Sequence, residues 1–223
     1  MVDVSLECFL PGLTVALVEV SGAQIAAASD DLRQRCDQVA RTVVEQGAAG
    51  GQTRRAAIRN LLRSGGFRPA GRNKPAQEYL LRTVAEQGVL PPICNAVDLI
   101  NLVSLQAGLP ISLVSLDRIG TSISLRIGAA GERYIFNRAG QELDVAGLLC
   151  LCAGQREDSE PVGTPVKDSM RAKVTEEDRH LLACVYASAE AVSAVELRRW
   201  ADDLGNGFQQ FCGAVRADVT ILP

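Results

Sequence analysis

The sequence predicts an α+β chain in which helices and strands occupy separate stretches instead of alternating. Four consecutive amphipathic helical patterns fill Ser29 to Ala107, and after Gly108-Leu109-Pro110 the hydrophobic period switches to two. The length, 223 residues, is long for one domain and short for two. One core is therefore expected, with residues 1–75 adding an N-terminal strand and a helical region to a main body over 76–223.

Leu13 to Val20 (LTVALVEV) is apolar and β-branched at almost every position, the pattern of a strand buried on both faces. Ser29 or Asp30 caps a first helix with Leu32, Cys36, Val39, Ala40 and Val43 on one face and Gly47 as its stop. A second helix starts near Thr53, carries Ile58, Leu61 and Leu62, and ends at Ser64-Gly65-Gly66. Pro75 suits the first turn of a third, which Gly88 terminates. Asn95 is the expected cap of a fourth, with Asp98 at its positive end, and its nearly all-round apolar run places it deep in the core. Beyond it, Ile123, Leu125 and Ile127 alternate with Ser122, Ser124 and Arg126 as a half-buried strand. Gly131-Glu132 reads as a hairpin turn, Arg133 to Asn137 as its return strand, Leu148 to Cys152 as a buried strand, and Gly154 to Pro165 as a polar loop. His180 to Ala187 fits a strand or a short buried helix. A helix over Ala191 to Leu204 and a strand over Ala214 to Leu222 close the chain.

Composition excludes several function classes. Aromatics are 4% of the chain, too few for rows of base-stacking rings. His180 is the only histidine, so a His-rich metal site is ruled out. The seven cysteines are odd in number and form no C-x-x-C pair; they read as reduced, mostly buried thiols in a cytoplasmic protein. The longest apolar run, Val145 to Ala153, is far short of the roughly 20 residues that span a bilayer, and no membrane partner is expected. No Walker loop, dinucleotide fingerprint, metal-ligand pair or nucleophile elbow is present, so neither metal nor cofactor is expected.

The net charge of −3 conceals an uneven distribution. From Gln46 to Gln77 there is no acid, while Arg54, Arg55, Arg59, Arg63, Arg68, Arg72 and Lys74 all fall there. Arg55, Arg59 and Arg63 share one stripe of the second helix. Two readings stay open: a contact surface for a phosphate backbone, or a solvated face paired with acids elsewhere in the chain.

Leu90 to Glu142 contains Val97-Asp98-x-x-Asn101, Gly108-x-Pro110, Leu116-Asp117-Arg118-Ile119, Ile123-x-Leu125-Arg126, Gly131-Glu132 and Gly140 in that order. With these pieces the stretch resembles the editing module, the third and fourth domains, of the phenylalanyl-tRNA synthetase β subunit. Gly66-Phe67-Arg68-Pro69, Ala76 to Arg82 and His180-Leu181-Leu182 extend the likeness toward freestanding relatives of that module. The resemblance implies mixed and antiparallel sheets packed against helices, a pocket between the two parts, and hydrolysis of a mischarged aminoacyl ester on tRNA.

The family's polar editing residues are replaced in this chain: its histidine falls on Ser112, its pocket glutamate on Ala183, and its Gly-Gly segment on Lys167 to Thr175. The resemblance therefore leaves two expectations. In one, the chain is a deacylase acting in trans, with Ser112, Ser169 or Thr175 orienting a water and the basic helical region holding the tRNA acceptor end. In the other, it binds tRNA or an amino-acid-like small molecule without turnover. Asp168 would take an ammonium, and Arg171 or Lys173 a carboxylate or phosphate, beside Lys167. Arg126 and Glu132 are secondary pocket candidates that also read as a strand-joining pair. Asp98 and Asn101 read as a helix cap and a satisfied core amide, and His180 as structural.

Overall fold

The computed structural model describes residues 2–71 and 73–223; Arg72, one of the basic candidates, lies outside the described residues. The fold is α+β. Strands β1 (Asp3–Leu6), β4 (Ser122–Ile127), β7 (Leu149–Ala153) and β8 (Glu160–Gly163) form a mixed sheet in the order β1-β4-β7-β8. Strands β2 (Leu13–Ser21), β3 (Ile111–Ser115), β9 (His180–Ser188) and β10 (Arg216–Leu222) form an antiparallel sheet in the order β10-β2-β9-β3. A short ribbon joins β5 (Arg133–Ile135) to β6 (Glu142–Asp144).

The antiparallel sheet is the middle of three layers. On one face Ala16, Val18, Val20, Leu181, Ala183, Val185, Ile111 and Leu113 pack against helices α4 (Asn95–Ala107) and α6 (Ala194–Cys212). On the other, Val15, Leu17, Leu182, Cys184, Tyr186 and Val114 meet the apolar side of the mixed sheet. This settles His180 to Ala187 as a strand: both of its faces are covered, so it shows the unbroken apolar run of a central strand. Helix α1 (Asp30–Gln46) and helix α3 (Ala76–Gln87) flank α4, while α2 (Gly51–Ser64) reaches β9.

Ser29 caps α1 by accepting from the Leu32 amide, and Gly47 follows its end. The cap expected of Asn95 is corrected: Cys94 is the cap residue of α4, and the buried Asn95 amide is a staple. Its Oδ1 accepts from Ala26 N, and its Nδ2 donates to the carbonyls of Gln24 and Phe211. Asp98 instead reaches back from the first turn of α4 to the Ile93 amide at 2.9 Å. The hairpin expected at Gly131-Glu132 is also corrected. Strand β4 pairs with β7, and β5 turns back on β6 through Phe136 to Gln141. Strands β1 and β3 carry no sequence expectation, the Gly154–Pro165 stretch contributes β8, and α6 runs to Cys212. Among the described residues no helix is long and apolar enough to cross a membrane.

Candidate functional site

Strand β3 is an edge of the antiparallel sheet, and the Gly108 turn leads into it from α4, which packs against it. Ile111 and Leu113 of β3 and Val97 and Ile100 of α4 thus form an aliphatic floor. The tip of the β5–β6 ribbon, Phe136 to Arg138, and the adjoining segment Lys167 to Thr175 complete the lining. The cavity, open at its mouth, measures about 780 Å³, in the size range of small-molecule sites. Ile93 and Cys94, at the start of α4, complete its lip.

Local bonding fixes both segments. At the ribbon tip, Asn137 Nδ2 donates to Gln141 Oε1 and Asn137 Oδ1 accepts from Gln141 N. In the adjoining segment, the Tyr134 hydroxyl donates to the Lys167 carbonyl, as does Thr164 Oγ1. The Lys167 ammonium lies 3.9 Å from the centre of the Phe136 ring. Asp168 latches the segment to the sheet edge: its Oδ2 accepts from Leu113 N at 3.0 Å. Its other oxygen, Oδ1, is buried and turned toward Gly163, where a Cβ would stand 3.0 Å from it and 3.3 Å from Ser112 Oγ. Gly163 is therefore what permits this close approach. Burial raises the Asp168 carboxyl to about 6, opposed by the nearby Ser112 hydroxyl, by the Leu113 and Thr164 amides and by the charge of Lys173.

The structure distributes the sequence candidates unevenly. Lys167, Asp168, Lys173 and Thr175 line the cavity, together with Met170 and Val174. Thr175 Oγ1 is engaged on both sides, by the Asp178 carboxylate at 3.0 Å and by Arg118 at 2.8 Å. Ser112 is fully buried between the sheets, donating to the Thr164 carbonyl and within 3.1 Å of the Tyr186 hydroxyl. Ser169 is buried as the cap of a 3-10 turn and accepts from Arg171 N. Arg171 points away from the cavity and pairs with Glu160. Ala183 faces the helices from the centre of β9. Arg126 and Glu132 form a bidentate pair at 2.7 Å, and Arg126 also binds Ser159, so the turn after β4 is tied to β8's approach. His180 is exposed and holds Asp117 Oδ1 at 2.7 Å.

Four cavity residues carry no sequence expectation as ligand groups. Arg118, Asn137 and Arg138 line the mouth, and Asn101 lines the wall from α4. The expectation of a satisfied core amide at Asn101 is corrected, since its side chain is only partly buried and faces the cavity. The spacing of Val97, Ile100 and Asn101 on one helix face was the available signal; its partner surface, the segment after Lys167, lies too far along the chain for periodicity to reveal.

In the helical region the acid-free run turns out to be partly compensated from outside. Arg54 is buried and donates to the Ala107 carbonyl and to Glu196. Arg59 grips Glu78 through two nitrogens, and Arg55 lies 3.4 Å from the same carboxylate. Arg63, bonded to Asn60, and Arg68 are exposed beside a hollow formed by Gly66 to Ala70. Lys74 is partly buried in the loop that leads to α3.

Among the described residues no group of three His, Cys, Asp or Glu side chains could hold a metal ion. All seven cysteines are free thiols, and all but Cys8 and Cys94 are buried. Residues 66–199 match the family described as the B3/4 domain. No curated protein sequence matches the chain.

Proposed function

Because this chain belongs to the B3/4 domain family, the domain found in the editing module of the phenylalanyl-tRNA synthetase β subunit, we propose that its cavity receives the aminoacyl end of a tRNA. The observation that carries this reading is the combination of an aliphatic floor with a cationic mouth. An aminoacyl-tRNA terminus presents both complements, a side chain to bury and phosphates beside it. In this reading Arg63, Arg68 and Lys74 contact the acceptor stem, while Arg54 and Arg59 serve the fold.

Hydrolysis in trans would then rest on positioning a water at an intrinsically labile ester. Thr175 is the hydroxyl at hand. A second reading, binding without turnover, is favoured by the burial of Ser112 and Ser169 away from the cavity.

A panel of charged tRNAs incubated with the protein tests both. Editing predicts that at least one ester is cleaved faster than it decays spontaneously. Binding alone predicts that the protein retains charged tRNA and slows or leaves unchanged its decay. Neither retention nor cleavage of any member would overturn the proposal.

A further inference from the structure

Arg138 and Lys173 both line the cavity, one from the tip of the β5–β6 ribbon and the other from the segment after the 3-10 turn Met170–Ala172. Both are exposed, and neither makes a salt bridge or hydrogen bond to a carboxylate among the described residues. The contrast with their surroundings is informative. Arg118, which also lines the cavity, pairs with Asp178, and the neighbouring Arg133 and Arg171 outside it pair with Glu142 and Glu160. Among the described residues the one carboxylate that lines the cavity belongs to Asp168, and its oxygens are committed inward, to Leu113 N and toward Gly163. Lys173 feels that charge through space without a hydrogen bond to it. In a chain whose net charge is −3, two uncompensated cations over an apolar cavity are a local reversal of sign.

We propose that Arg138 and Lys173 form a phosphate-binding site at the cavity mouth, holding a phosphomonoester or phosphodiester whose apolar or nucleoside portion enters the cavity. Arg138 offers a planar fork to two phosphate oxygens, and Lys173 adds a point charge from a separate segment. Lys167, seated on the Phe136 ring, adds to the positive potential behind them. Two sources share this chemistry: the backbone of an RNA 3′ end, and a free nucleotide. Assigning the phosphate to RNA rests on the function proposed above; the anion site itself does not.

The test measures binding of three probes, adenosine, adenosine monophosphate and a short RNA hairpin with a single-stranded 3′ end, to the wild type and to an Arg138→Gln/Lys173→Gln double variant. Both positions are exposed, and the unfolding midpoint of the double variant checks that the fold is kept. The site predicts that the monophosphate binds more tightly than adenosine and that the double variant loses on the order of 10-fold in affinity for phosphate-bearing probes. With RNA as the source, the slope of log K against log salt falls in magnitude by roughly 1 in the variant. Monophosphate binding that depends on the two cations, without RNA binding, keeps the site and removes the RNA reading. Equal binding of adenosine and its monophosphate, or a double variant that binds every probe as the wild type does, overturns the site.

Discussion

Replacing Arg54 with alanine is expected to destabilise the protein by about 3 kcal/mol, lowering the thermal midpoint by roughly 10 °C. The guanidinium is 4% exposed and joins three helices: its own α2, the Ala107 carbonyl at the end of α4, and Glu196 in the first turn of α6. Alanine removes both charge-assisted hydrogen bonds and leaves that carbonyl unpartnered in the interior. Glu196 keeps some contact with solvent, which sets the expected cost at the low end for a broken buried pair. Arg63→Ala, on the exposed face of the same helix, should change stability by less than about 0.5 kcal/mol. Thermal unfolding of the two variants side by side checks the assignment: similar small losses would place Arg54 with the surface cations instead.

The second large effect concerns pH. Burial lifts the Asp168 carboxyl from an ordinary value of 3.8 to about 6 in the folded protein. The folded state therefore binds this proton more tightly than the unfolded state does. Its contribution to stability is greatest below pH 4 and is lost as pH rises through about 6, and the gap corresponds to about 3 kcal/mol. In an Asp168→Asn variant the side chain cannot titrate, and its amide oxygen can still accept from Leu113 N. The stability of this variant relative to wild type should thus increase between pH 4 and pH 7 by most of that gap, about 2 kcal/mol, measured by urea unfolding at each pH. Comparing the two proteins cancels the titration of every other carboxylate. A difference that stays flat across this range would mean that the Asp168 carboxyl titrates normally and is not buried as described.

The fold's layers were largely legible because each helix carried its own signals. Ser29, Gly47, Gly88 and Gly108 bracket their helices in the structure as the capping rules expect. Strand pairing was less legible. Strand β3, Ile111–Ser115, breaks the two-residue period, because its serines stand at 112 and 115 around Leu113-Val114, and both serines are fully buried. The polarity of Ser112 is absorbed by its hydroxyl's contacts with the Thr164 carbonyl, just past β8, and with the Tyr186 hydroxyl on the neighbouring strand β9. The Gly131-Glu132 hairpin failed for a related reason: Glu132 is held by Arg126 of β4, which looks like hairpin pairing in sequence but leaves β4's neighbour to be β7.

The candidate site was legible in one segment only. Lys167 to Thr175 stood out as a polar stretch, and Lys167, Asp168, Lys173 and Thr175 do line the cavity. Other parts of its lining come from α4 and the β5–β6 ribbon, which local pattern cannot bring together. The acid-free run around Arg59 misled for the same reason, since Glu78, one residue past its end, folds back as a shared partner for Arg55 and Arg59.

The central claim is that the cavity between α4, β3, the β5–β6 ribbon and Lys167 to Thr175 receives the aminoacyl group. The sequence contains two methionines, Met1 and Met170, and Met170 lines this cavity. Protein labelled with carbon-13 at the methionine methyls therefore gives a signal that reports the cavity directly. Titration with a non-hydrolysable aminoacyl-adenosine amide is predicted to shift the Met170 methyl resonance in a saturable manner, with the signal assigned through Met170→Leu. Saturating binding that leaves the Met170 resonance unmoved would contradict the account.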